Sequence, residues 1–339
     1  MQTKPELFKI LTNPKTYVFI VALAGLLAIP FFEKDPFTIS VLNLIFIFSI
    51  YASSWNLLAY SGQGSLGHAA FLGIGAFTSS LLAIKLGLPP TIGLIMGGLI
   101  SAGLGFLVGL TCVRLKAWFL AMVTFGFSVI AIAFFYQFDS ITSAITGFPP
   151  IGIVQENQLY FLILGISAAS IAAIYWIMRS KSGLAFKAIR ENEQEARMSG
   201  INTSKYKLIA FVISTFFAGI AGCLYVQNLG YVQVSIFTPE LSFIPLIMAV
   251  IGGLGTIEGP LIGSIIIVFI QNLLPDIDPL LQSGVGAFFP AVSNVGPPLR
   301  LLGLGLFFVI IVIFLPKGIT SLLHKGYDYF RGKEENKAK

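Results

Sequence analysis

The 339-residue chain reads as an all-α polytopic membrane protein of about ten transmembrane helices, some broken or re-entrant, with both termini in the cytoplasm. Three observations predict that class. Hydrophobic residues make up 56% of the chain and charged residues only 11%, where soluble domains carry about 25% charge. The mean hydropathy is +0.87. Apolar runs close to the length of a bilayer crossing recur along the chain, and Pro, Gly or charge divides them, as at Glu33-Lys34-Asp35-Pro36, Leu88-Pro89-Pro90 and Phe148-Pro149-Pro150.

Taken in order, the expected spans lie at 16–32, 37–59, 65–84, 91–113, 117–138, 159–178, 206–228, 242–254, 260–275 and 300–315. The first run, Tyr17 to Phe32, follows Lys4, Lys9 and Lys15 as a signal peptide would. It lacks a clear small-x-small cleavage site before Pro30 and is read as a span. The eighth run is short, and the eighth and ninth are rich in Gly, so they can also form a re-entrant pair. The domain plan is then a cytoplasmic N-terminus at 1–16, a permeation domain at 17–315 with a cytoplasmic loop at 179–207, and a basic cytoplasmic tail at 316–339.

The basic residues test this plan. With the N-terminus inside and the spans alternating, eighteen of the 21 Lys and Arg fall on the cytoplasmic side. Only Lys34, Lys85 and Arg300 do not. Asp and Glu divide about evenly, as the positive-inside rule permits. An even number of spans follows, because shifting one would throw several of these charges to the wrong side.

No Asp, Glu, Lys or Arg lies near the middle of a well-marked span. Charges there are expensive and usually mark proton relays, so a carboxylate-driven proton pump is disfavoured. His68 is the ionisable residue nearest a span. It is either a helix-end histidine bonded to a neighbour or part of the permeation path. Around it, Gly62-Gln63-Gly64-Ser65 precedes one span, with Ser65 placed to cap the helix. A matching Gly253-Leu254-Gly255-Thr256 precedes another. Such breaks at corresponding positions suit close helix packing or a solute path, for which Gln63, Ser65, His68, Gly252, Gly253 and Gly255 are the candidates.

Residues 179–207 form the one long, densely charged stretch between apolar blocks, with ten charges. Within it, 184–199 reads as a helix, with Gly183 before it and Gly200 as its C-cap. Ala185, Ala188, Ile189, Asn192, Ala196 and Ser199 recur on one face of mostly small side chains. Arg190, Glu193 and Arg197 share another face and can pair at i,i+3 and i,i+4. A narrow small face beside a charged flank suits a groove on a soluble partner. A solvated loop with ordinary cytoplasmic charge is the plainer alternative.

Three segments carry a resemblance. Glu195-Ala196-Arg197-Met198-Ser199-Gly200-Ile201 resembles the EAA loop of ATP-binding-cassette importer permeases. Read more widely, Ala188-Ile189-Arg190-Glu191-Asn192-Glu193, Ala196-Arg197 and Gly200-Ile201-Asn202 are similar to the M-type (LivM-type) permease of branched-chain amino acid importers. Gly62 through Phe71, and Gly252-Gly253-Leu254-Gly255 through Gly259-Pro260, resemble two further motifs of that family. The match runs in order over about 37–315. It departs from the general EAA pattern at Glu195 and Arg197 and lacks the Leu-Pro that often closes it.

The resemblance implies a permease subunit in the bacterial inner membrane, built with a homologous H-type permease. It implies two cytoplasmic ATPase subunits and a periplasmic or lipid-anchored binding protein. The ATPase contacts would fall on Ala188, Arg190, Glu191, Asn192, Glu193, Ala196, Arg197 and Gly200. Branched-chain amino acids are the family's usual solute, with urea and short amides as alternatives. The sequence has no G-x-x-x-x-G-K-[ST] phosphate loop, so ATP would be used by the partners and no cofactor is expected on this chain. A stand-alone secondary transporter or channel is the rival from another class.

Other readings are weak. A net charge of +6 and a pI near 9.2 do not indicate nucleic acid, because the basic residues sit between apolar runs. Cys112 and Cys223 lie in apolar stretches without ligand spacing and read as small buried hydrophobes. No nucleophile, paired carboxylate or metal constellation converges, so an enzyme is not expected. The tail, with Tyr327, Tyr329 and Phe330 among its basic residues, suits the surface of the cytoplasmic leaflet.

Overall fold

A computed structural model describes residues 25–32, 35–139, 156–272, 296–315 and 318–321, and every regular element among them is helical. A helical stretch at 25–32 precedes α1 (Pro36–Tyr60). Asp35 caps α1 by accepting from Thr38 N, and Pro36 opens the helix where a missing N–H costs nothing. Then come α2 (His68–Leu86), α3 (Pro90–Cys112), α4 (Ala117–Gln137) and α5 (Glu156–Arg179). Two short helices, α6 (Lys181–Glu191) and α7 (Glu193–Met198), carry the charged loop. The long α8 (Thr203–Leu229) follows, then a 3-10 turn at Val234–Phe237. The described chain closes with α9 (Pro239–Gly252), α10 (Gly259–Asn272) and α11 (Gly296–Phe314).

Six helices, α1 to α5 and α8, are long and apolar enough to cross a membrane. They match the spans expected at 37–59, 65–84, 91–113, 117–138, 159–178 and 206–228. Most of the expected first span at 16–32, the segment 1–16 and most of the tail at 316–339 lie outside the described residues.

The core is built around α8, which packs against α3, α2 and α1. In lipid no hydrophobic force draws helices together, so close fit does it, and small residues supply the fit. A Cβ on Gly75 would lie 2.2 Å from the Gly219 carbonyl oxygen, and one on Gly222 would lie 1.9 Å from that of Leu72. Ser101 on α3 donates to the Phe71 carbonyl at 2.9 Å, which satisfies its hydroxyl inside the bundle. Cys112 and Cys223 are both free and buried, as expected.

Two expectations change. Ser65 does not cap α2; the helix starts at His68, and Ser65 Oγ reaches only the Gly67 N–H at 3.4 Å. Segment 61–67 is instead tied down as a turn. Trp55 Nε1 donates to the Ser65 carbonyl at 2.8 Å, and Leu66 N–H donates to Thr124 Oγ1 at 3.1 Å. The second change concerns α9 and α10. Gly252 lies against Gly259 and Gly263 against Met248, so the two helices pair as an antiparallel hairpin. A helix of 14 residues is about 21 Å long, so α9 is shorter than a bilayer core of about 30 Å.

Candidate coupling site

The charged loop is two helices, not one. Ser180 caps α6, and its hydroxyl accepts from Gly183 N–H at 3.4 Å. Gly183 therefore sits inside the helix, where any Cβ would strike the Met178 carbonyl. Asn192 breaks the run with an extended backbone (φ −156°, ψ 107°). Its side chain then caps α7, accepting from Gln194 N at 3.0 Å and Glu195 N at 3.3 Å. A short polar side chain can replace the missing backbone partner, so the break costs little. Gly200 closes α7 with φ 83°, as its position after the helix suggested.

The small face does not point at solvent. Ala185, Ile189 and Ala196 are buried together with Phe186, while Asn192, Ser199 and Gly200 are exposed and Ala188 is partly covered. Small and apolar side chains at helical spacing let α6 lie against α5, α8 and α1. The outward side carries Lys187, Arg190 and Glu191, together with two residues the sequence reading passed over. Leu184 is 66% exposed and Met198 is 91% exposed. Their apolar character amid the charges was the signal that could have found them.

Arg190, Glu193 and Arg197 also separate. Glu193 pairs with Arg197 at 3.4 Å and accepts from Lys207 of α8, whose side chain is only 7% exposed. Arg197 also donates to Thr203 Oγ1 at 3.2 Å. Burial alone would raise the Glu193 pKa. The hydrogen bond and charge of Lys207 outweigh it, with help from Thr203 and Arg197, and hold the carboxyl below its usual range. Arg190 goes elsewhere, to the turns at Gly62 and Gly255. Glu191 forms a long pair with Lys187 at 3.9 Å.

The three motifs of the sequence thus meet at one end of the bundle. Arg190 Cα would lie 3.1 Å from a Cβ on Gly62, and its guanidinium lies on Gly255. Asn56 of α1, also missed earlier, clamps the second turn: its Oδ1 accepts from Gly255 N–H at 2.8 Å and its Nδ2 donates to the Thr256 carbonyl at 2.6 Å. Gln63 donates to the Lys207 carbonyl at 2.9 Å. A cavity of about 380 Å³ bordered by Tyr60, Lys187, Arg190, Glu191 and Gly255 opens at the junction.

The candidate path residues are mostly packed. Gln63, Ser65 and His68 are buried, as are Gly252 and Gly253. His68 Nε2 lies 3.0 Å from Ser54 Oγ, its ring stacks on Tyr51 at 5.4 Å, and its Nδ1 has no partner among the described residues. Gly255 borders the cavity beside Arg190.

The family described as branched-chain amino acid transport system / permease component matches residues 37–315. The chain belongs to this family. Among relatives, the permease is 30% identical to the high-affinity branched-chain amino acid transport system permease protein LivM of Escherichia coli K12, over 77% of its own length and 69% of the relative's. It is 29% identical to the probable branched-chain amino acid transport permease protein LivH of Methanocaldococcus jannaschii, over 41% of each chain. It is 34% identical to the ribose import permease protein RbsC of E. coli K12 over 115 residues, 32% of its own length and 35% of the relative's. No solved structure matches.

Proposed function

We propose that the permease is a subunit of an ATP-binding-cassette importer that moves branched-chain amino acids across the bacterial inner membrane. It has about ten membrane helices, some broken or re-entrant, with both ends inside; it pairs with an H-type permease and receives solute from a periplasmic or lipid-anchored binding protein. Two cytoplasmic ATPase subunits supply the energy and dock on the loop at 181–200. The observation that carries the docking reading is the exposure of Leu184 and Met198 on a loop that is otherwise charged. A helix that shows apolar side chains among charges suits a groove on a partner. The inward packing of Ala196 shifts the expected face from the small residues to these two and to their neighbours Lys187, Glu191 and Arg197.

The solute assignment rests on the LivM-type relatives, with urea and short amides as alternatives in the same family. The partial match to a ribose permease shows that related chains carry other solutes. Purification of the tagged permease in mild detergent from its own host tests the assembly. An ATPase and a second permease in comparable amounts support it; transport by the chain alone in liposomes would promote the secondary transporter. Within the complex, Met198→Glu should weaken ATPase binding about 10- to 100-fold, the worth of one buried apolar side chain, in a direct titration. The isolated permease should keep its thermal stability, since Met198 touches little of its own chain.

A further inference from the structure

We infer that Arg190 is a positioning residue that joins the loop helix α6 to both glycine turns, so that all three move as one unit. The inference rests on the importer reading and adds the residue through which movement of the loop reaches the spans. Its basis is one residue making two unlike contacts, one through its backbone and one through its guanidinium. At the first, the backbone of Arg190 sits on the turn between α1 and α2. A Cβ on Gly62 would stand 3.1 Å from Arg190 Cα and 3.7 Å from its Cβ, and Gly62 has φ 76°, which any other residue adopts with strain. At the second, the guanidinium covers the turn between α9 and α10. A Cβ on Gly255 would lie 1.8 Å from Nη1, and Gly255 has φ 78°. The Gly255 backbone is itself held to α1 through Asn56.

The geometry explains why glycine stands at both turns. Each lets a neighbour approach closer than a side chain would allow. Arg190 needs both, because its stem and its head lie on different turns. The two turns begin α2 and α10, and α6 is the helix exposed toward solvent. A displacement of α6 therefore pushes on two hairpins at once. The tie at Glu193 and Lys207 links the next helix, α7, to α8 by a separate route. Arg190 has no acidic partner within ion-pair distance among the described residues. Its role is shape and reach at the edge of the cavity it shares with Tyr60 and Gly255.

The test uses the full importer in proteoliposomes, with its ATPase, second permease and binding protein, and reads solute moved per ATP hydrolysed. Arg190→Ala should still recover the ATPase on purification, yet solute per ATP should fall about 3- to 30-fold, the range over which single residues on a coupling route act. Arg190→Lys, which keeps the stem and a cation, should recover part of that ratio. An unchanged ratio in Arg190→Ala would overturn the inference. Failure of the wild-type permease to bring down any ATPase would instead sink the importer reading. A second measurement guards against a simple folding defect. Thermal unfolding of the Arg190→Ala permease in detergent should match the wild type, because the backbone contact with Gly62 remains and only the guanidinium over Gly255 is lost. A marked loss of stability alongside the fall in coupling would make Arg190 merely structural and overturn the inference.

Discussion

Lys207 carries its charge where water barely reaches, and Glu193 is the group that makes this tolerable. Removing one partner leaves a charge unpaired in a buried place, which costs more than the pair contributes. Glu193→Gln should therefore destabilise the loop by about 1 to 2 kcal/mol, the lower part of the range for charged hydrogen bonds because Glu193 is itself partly exposed. The pH dependence follows in sign. The folded Glu193 pKa lies below its ordinary value of 4.5, so its contribution is complete above that pH and is lost as pH falls through the lowered value. Proteolysis of the 181–200 loop should speed up below about pH 4.5 in the wild type, with Glu193→Gln already fast at pH 7. A loop equally resistant in both proteins at pH 7 would remove this tie from the account. At this scale the sequence showed the charges but not their partners. Glu193 with Arg197 was legible from spacing; Lys207, 14 residues on, and Asn56, nearly 200 residues from Gly255, were not.

At the scale of helices, the glycines differ in what they do, and the difference can be measured. A Cβ on Gly222 of α8 would enter the backbone of α2, 1.9 Å from the Leu72 oxygen, whereas Gly126 of α4 has nothing within 4 Å. Gly222→Ala should cost about 1 to 3 kcal/mol, since backbones must separate along a packed seam. Gly126→Ala should gain about 0.5 to 1 kcal/mol by restraining the unfolded chain. Thermal unfolding in detergent gives both signs, and a like change in the two variants would show that the close seam is not what holds α8 to α2. Sequence reading located these helices because twenty apolar residues between breakers leave few options. It misjudged helix ends and the charged loop. A single helix over 184–199 fitted the spacing, but Asn192 offered the backbone an equally good cap, and nothing local distinguishes an asparagine that breaks a helix from one that rides in it.

For the whole molecule, the orientation rests on charge, and a labelling experiment checks it. Cys112 and Cys223 are buried, so an added cysteine should react over a low background. Met198→Cys should take an impermeant thiol reagent in inside-out vesicles and not in whole cells with an intact inner membrane. Lys85→Cys, at the far end of α2, should do the reverse. The same side for both would require an even number of crossings between them, where α3, α4 and α5 make three, and would undo this plan. The hairpin of α9 and α10 decides the count, because a helix as short as α9, 14 residues, can enter the bilayer and turn back to the same face.

The sequence by itself determined the class, the six long spans, the family and the three segments that meet at one end of the bundle. Composition and hydropathy act residue by residue, and a membrane helix satisfies its own backbone, so those features need no knowledge of distant contacts. Only the tertiary structure decided which way the loop faces and what its residues touch. The small side chains of α6 and α7 serve the chain's own packing, and the exposed face belongs to Leu184 and Met198. Arg190 reaches two turns that lie 128 and 65 positions away in the sequence. Close approach between segments so far apart depends on how the helices stack, and spacing along one helix carries no record of it.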